Sequence, residues 1–307
     1  MDAVELAAVV SAIVLARWSE IPEAITPLEG GMNSATVSVR LSRGRFVAKW
    51  VPLKNRDALH AGAAAAVLMS AGGLSAGAPL STDSGDLSVE VGSGVLSLLE
   101  WVPGSALTGR SDQDQRQIAR TLAKAHGMET REVTRRPFFE WIHGSAPGLG
   151  AEPWVRPAVH AVCNEYALLP PVTWGILHTD PAPEAFLYDE LTDSVGLIDW
   201  AGSTRGPLLY DVASALMYLG GIKRGSTFLG EYALCGSIFS DEIDSHLSAF
   251  RRFRGAVQAV YFSQRLLADD LTGIADGSEN WKGLHDAHEI LRELGVTKAD
   301  LGYTSFL

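Results

Sequence analysis

The sequence predicts an α+β chain of two lobes, a small β-rich N-lobe over residues 1–101 and a larger, mainly helical C-lobe over residues 102–307. Three observations predict it. Apolar alternation broken by Gly-containing turns is concentrated before residue 102, helical periodicity dominates after it, and Val102-Pro103-Gly104 interrupts the pattern between the two. The length of 307 residues also exceeds what one core usually fills.

Residues 3–18 read as a packed helix: the apolar run from Leu6 to Ala16 is too short to span a bilayer, and the acidic start MDAVE is unlike a secretory leader. Alternation from Thr36 to Leu41, a turn at Ser42 to Gly44 and the run Phe46–Val51 predict a β-hairpin, with Gly30-Gly31 at the bend before it. Asn55–Ser70 is Ala-rich and predicts a helix ending at Gly72-Gly73. Residues 86–102 hold two further strands around Gly-Ser-Gly, the second running from Leu96 to Trp101. Ser111 caps a helix to Gly127, with acids in its first turn and Ile118, Leu122 and Ala125 at helical spacing. Residues 153–168 and several segments from 208 to 294 are helical in pattern. Between them lie ILHTDPAPEAFLYD, residues 176–189, and Val195–Trp200, two short strand-like segments that each deliver an Asp.

A formal charge of −11 argues against general nucleic-acid binding, since phosphate backbones would be repelled, and mildly favours a cationic partner. No membrane partner is expected. Cys163 and Cys235 are the only cysteines, far apart and without a nearby His at metal-ligand spacing, so neither a disulfide framework nor a structural zinc site is suggested and a reducing cytoplasm fits.

Phosphoryl transfer needs few groups: a backbone-lined cover and a cation for the phosphates, a carboxylate that orients the attacking hydroxyl, and carboxylates for Mg²⁺. The sequence offers each in order. Gly30, Gly31, Asn33 and Ser34 lie at a bend where small residues let amides approach phosphate oxygens. Lys49 follows on the next strand. Asp180, within His178-Thr179-Asp180, is placed to orient a hydroxyl, with His178 bracing the loop by hydrogen bonds. Asp199 comes 19 residues later, at the end of an apolar strand, as a metal ligand.

This ordered set resembles the aminoglycoside phosphotransferase, choline kinase and fructosamine kinase group, whose signature is His-Gly-Asp-x-x-x-x-Asn followed by Ile-Asp-Trp or similar. The likeness runs through the Gly-rich bend, Val47-Ala48-Lys49, the linker Leu98 to Gly104, His178-Thr179-Asp180, Ile198-Asp199-Trp200 and the run from Gly206 to Asp211. It implies a protein-kinase-like fold, ATP or GTP as phosphate donor, and Mg²⁺. It further implies that Asp180 is the catalytic Asp and Asp199 the metal Asp, that Lys49 contacts phosphates, and that the linker from Glu100 to Val102 meets the purine. Asp211 would be a buried organiser.

Three departures follow. The family's metal-binding Asn falls on Ala185, which has no oxygen to offer, so either Glu184 turns inward as the substitute ligand or it points into solvent and the second metal position is empty. The helix after Lys49 has no Glu, the expected place falling near Gly62. Thr179 replaces a Gly, which matters only if the position requires positive φ.

The leading expectation is a small-molecule O-phosphotransferase moving a γ-phosphate to the hydroxyl of an aminoglycoside-like or other cationic natural product, as a resistance or biosynthetic enzyme. The alternative is a degenerate kinase-like protein that binds a nucleotide or small molecule without transfer. A hydrolase is disfavoured because there is no Gly-x-Ser-x-Gly elbow. His285 with His288, the tryptophans 141, 154 and 174, and the run Arg251, Arg252, Arg254 read respectively as an exposed helix face, core, and a solvated face.

Overall fold

The computed structural model describes residues 1–28, 34–143, 147–236, 238–274 and 276–296. Along the chain run α1 (Ala3–Trp18), β1 (Ala24–Pro27), β2 (Ala35–Leu41), β3 (Gly44–Pro52), α2 (Arg56–Ala71), β4 (Val89–Val91), β5 (Gly94–Glu100), β6 (Ser105–Ala106), α3 (Asp112–His126) and β7 (Glu132–Thr134). There follow α4 (Val155–Leu168), β8 (Val172–Leu177), β9 (Phe186–Asp189), β10 (Ser194–Leu197), β11 (Thr204–Pro207), α5 (Leu208–Tyr218), α6 (Ser226–Leu234), α7 (Ser240–Leu267) and α8 (Ser278–Glu293). The chain forms two compact units, Met1–Met128 with Pro181–Thr204 and Glu129–Asp180 with Arg205–Leu307. This division differs from a single boundary at 101/102: β6 pairs with β9 just past Gly104, which holds residues 102–128 and 181–204 in the first unit.

The first unit is built on an antiparallel sheet in the order β1-β2-β3-β5-β4. The hairpin pairs Thr36 with Lys49, and β3 in turn pairs Lys49 with Ser97 on β5. Period-2 alternation sends Val37, Val39, Phe46, Ala48, Trp50, Leu96 and Leu98 to one face, where they form a core with Leu6, Val10, Val14 and Trp18 of α1. Those α1 residues recur every fourth position, the stripe a helix needs to cover a sheet. A capping box between Asp2 and Glu5 starts α1. Because Ala48 and Trp50 face this core, Lys49 lies on the opposite face of β3. A smaller sheet, β10-β9-β6, completes the unit.

In the second unit the sheet β11-β8-β7 lies among α4, α5 and α7. Glu242 at the start of α7 accepts from both the amide and the hydroxyl of Thr173, fixing β8 to that helix. An aromatic cluster of Phe138, Phe139, Tyr210 and Phe253 fills the space beneath, Phe138 stacked on Phe139 at 4.0 Å between ring centres. Trp154 and Trp174 are buried, and Trp141 is exposed. No helix among the described residues is long and apolar enough to cross a membrane.

Candidate active site

In the first unit Lys49 reaches Asp199, its Nζ 2.5 Å from Oδ1. The strand expected to end in Asp199 stops earlier, at Leu197, and Asp199 itself has φ of 66°, a left-handed conformation that a short Asx side chain tolerates. The turn is held from within, since the Trp200 indole N–H donates to the Leu197 carbonyl at 2.8 Å.

At Gly62, near which the family resemblance places a helix Glu, α2 packs against the same turn. The helix comes so close that a Cβ would lie 2.6 Å from the Trp200 carbonyl oxygen and 2.9 Å from the Ala201 nitrogen. No side chain fits there, and Lys49 takes Asp199 as its counter-charge.

Ala185 is buried, its carbonyl accepting from the Ile198 amide at 2.9 Å, while Glu184 is exposed. That bond continues the β9–β10 ladder past its last pair, Phe186 with Leu197. Glu184 and Asp199 are therefore the next residues on either side. No group of three or more His, Cys, Asp or Glu side chains among the described residues could hold a metal by itself. Two oxygen donors suffice for Mg²⁺ that arrives with nucleotide phosphates and waters.

On the linker, the Glu100 amide donates to Ala78 and the Trp101 amide to the Arg45 carbonyl. This leaves the Glu100 carbonyl and the Val102 amide as the linker groups facing no strand partner among the described residues. Ser34 sits just before β2. Gly30, Gly31 and Asn33 lie outside the described residues.

In the second unit one face of α5 grips the segment 178–180. Asp211, fully buried, accepts from the amides of His178 at 2.7 Å and Thr179 at 2.8 Å. One turn on, the Ser214 hydroxyl donates to the Thr179 carbonyl at 3.2 Å. Another turn on, the Tyr218 hydroxyl donates to Asp180 Oδ1. The spacing 211, 214, 218 is one stripe of an α-helix. Thr179 has φ of 76°, so the position does require the left-handed conformation that Gly adopts freely and a β-branched residue adopts under strain. His178 is buried, and its backbone amide donates to Asp211.

Arg254 of α7 adds a guanidinium to this cluster. Only 8% exposed, it donates through Nε to the Ser214 hydroxyl at 2.7 Å and through Nη2 to Asp180 Oδ1 at 3.3 Å. The expected solvated face is thereby corrected at this residue: α7 presents Arg254 inward, where Asp180, Tyr210 and Tyr218 surround it. Burial alone would lower its pKa, but those neighbours more than reverse the effect, so it stays charged. Burial, then the Asp180 charge, pushes the Tyr218 phenol well above its ordinary range, so it stays a donor.

The structure thus brings Lys49 to Asp199 and places Glu184 beside that turn, and it joins Asp180 to the face of α5. The residues missed in the sequence are Ser214, Tyr218 and Arg254. For the first two a signal existed in their helical spacing from Asp211. Arg254, 74 residues from Asp180, gave none.

A sheet that carries a lysine paired to an Asp-bearing turn, together with a helical unit that holds an exposed Asp on a braced loop, defines an α+β fold of the protein-kinase-like type. The chain belongs to the phosphotransferase enzyme family, whose model matches residues 24–235. No curated protein matches the chain. Among solved structures it is similar to the amicoumacin kinase hAmiN in complex with AMP-PNP, Ca²⁺ and Ami, at 15% identity with TM-score 0.70 over 93% of each chain. It is also similar to the choline kinase LicA from Streptococcus pneumoniae, at 17% identity with TM-score 0.67 over 94% of this chain and 99% of that one. Spectinomycin phosphotransferase APH(9)-Ia with ADP and spectinomycin matches at 14% identity, TM-score 0.65, over 93% and 97%.

Proposed function

We propose that the protein transfers the γ-phosphate of ATP or GTP to a hydroxyl of a small molecule. The observation that carries this reading is the Lys49–Asp199 pair, which joins residues 150 positions apart. A cation and a carboxylate in contact are the two charges that phosphoryl transfer requires around the donor's phosphates. Lys49 would contact phosphate oxygens, with Gly30, Gly31, Asn33 and Ser34 covering them and the linker from Glu100 to Val102 meeting the purine. Mg²⁺, held by Asp199 with Glu184, would neutralise charge on the phosphates. Asp180 would accept the hydrogen bond of the acceptor hydroxyl, on a loop braced through His178.

Solved neighbours are named for amicoumacin, spectinomycin and choline, so this fold serves unlike acceptors. The net charge of −11 makes hydroxyl compounds with a positive charge, amino sugars included, the first class to screen, and resistance to such an antibiotic a function to test. A second reading, nucleotide binding without transfer, draws on Ala185, which offers no metal ligand. The adjacency of Glu184 to Asp199 favours transfer.

The deciding experiment is thermal unfolding with and without Mg²⁺ plus ATP or GTP, for the natural chain and for Asp199→Ala. A metal-dependent rise in melting temperature that Asp199→Ala abolishes supports the site. No rise with either nucleotide at millimolar concentration refutes it, and a rise without turnover of any acceptor supports the second reading.

A further inference from the structure

Asp180 has two carboxylate oxygens in different surroundings. Oδ1 receives the Tyr218 hydroxyl and Arg254 Nη2, the latter at 3.3 Å, while Oδ2 has no partner among the described residues and the side chain is exposed. Arg254 is itself fixed, since Ser214 takes its Nε at 2.7 Å and the Ser214 hydroxyl reaches the Thr179 carbonyl beside Asp180. Arg254 Nη2 also lies 3.4 Å from the Tyr218 hydroxyl, closing the group. A planar guanidinium held at two points orients what it touches better than a flexible ammonium does.

We propose that Arg254 and Tyr218 form a clamp on Asp180 that fixes the carboxylate through Oδ1 and presents Oδ2 to the acceptor hydroxyl. Both are positioning residues, and the proposal rests on the phosphotransfer reading above. In the step they serve, the hydroxyl oxygen bonds to the γ-phosphorus, the bond from that phosphorus to the bridging β–γ oxygen breaks, the nucleoside diphosphate leaves, and the hydroxyl proton passes to Oδ2 and on to solvent. The charged and titratable groups around Asp180 are Arg254 from α7, Tyr210, Asp211 and Tyr218 from α5, and His178 on its own loop. With Oδ1 tied to a cation, the carboxylate serves first to aim the hydroxyl, and the proton moves late. Aim is worth much here, because small misplacements of a reacting group cost rate steeply.

Two measurements test the clamp together. The first is Mg²⁺-dependent hydrolysis of ATP and of GTP, with water standing in for the acceptor. Arg254→Met should lower kcat by about 10- to 100-fold with the nucleotide KM little changed, as expected for lost orientation. Arg254→Lys should recover part of the loss, and Tyr218→Phe should show a smaller one. The second is a double-mutant cycle of melting temperatures for Asp180→Asn and Arg254→Met. Asp180→Asn strands a buried cation, so its loss should vanish when Arg254 is already Met.

Full kcat in Arg254→Met overturns the positioning role, and additive melting-temperature losses overturn the clamp. If the natural chain hydrolyses neither nucleotide, the cycle alone decides whether the clamp exists, and the nucleotide-dependent rise in melting temperature decides separately on the phosphotransfer reading.

Discussion

In the first unit Lys49 and Asp199 form an ion pair, with Asp199 exposed on a turn in a left-handed conformation and Glu184 exposed beside it. In the second, Asp180 and the two residues before it are hydrogen-bonded to Asp211, Ser214, Tyr218 and Arg254. On the function proposed, the contrast would follow from what each set handles. A nucleotide would bring three phosphates and a metal, charges strong enough to arrange Lys49, Asp199 and Glu184 around themselves. A neutral hydroxyl brings a single weak donor, and the chain must supply the order itself. Of the departures from the family pattern, Ala185 and Gly62 fall in the first unit and Thr179 in the second.

The sharpest break in this comparison is Asp211→Ala. It removes a buried carboxylate that accepts two amides and leaves both donors without partners. Buried unsatisfied donors cost about 1–3 kcal/mol each, so the loss should be about 2–6 kcal/mol. Denaturant unfolding reads it as a lower midpoint at constant slope. Support for Asp180 that did not depend on α5 would show as a loss below about 1 kcal/mol.

The α+β class, the hairpin bearing Lys49 and the helices from α1 to α4 were legible because period-2 alternation, caps and Gly-rich ends are local signals. The order of the chemical residues was legible through the family resemblance. The pairings were not. Lys49 meets Asp199 across 150 residues, and Arg254 turns inward at a position whose neighbours Arg251 and Arg252 are more exposed. The side of a helix on which a charge lies depends on what packs there, and an Arg run read alone defaults to solvent. Thr179 illustrates the same limit, since only the backbone reveals its positive φ.

Gly62→Ala tests the other side of the comparison. The new Cβ would meet backbone atoms at 2.6 to 2.9 Å, which cannot rotate away as a side chain could. Overpacking of this kind costs about 1–3 kcal/mol. Higher helix propensity returns at most about 1 kcal/mol, and with a contact this short the clash should win. Because the obstruction is the turn after Asp199, the metal-dependent rise in melting temperature should shrink as well. An unchanged rise would mean that Asp199 is held by something other than the approach of α2.

The smallest effect is expected at Thr179, and it has the opposite sign. A left-handed β-branched residue carries about 1–3 kcal/mol of strain, and Gly in its place gives back about 0.5–1 kcal/mol through the freer unfolded chain. Thr179→Gly should therefore stabilise by about 1 kcal/mol, a rise of a few degrees in melting temperature. The strain persists because both backbone groups of Thr179 are held, the amide by Asp211 and the carbonyl by Ser214. If that grip is its cause, the gain should shrink once Asp211→Ala lets the loop relax. An equal gain in both backgrounds would trace the positive φ to the chain's entry into the loop at Leu177 and not to α5, and the second unit would then order Asp180 without straining the residue before it.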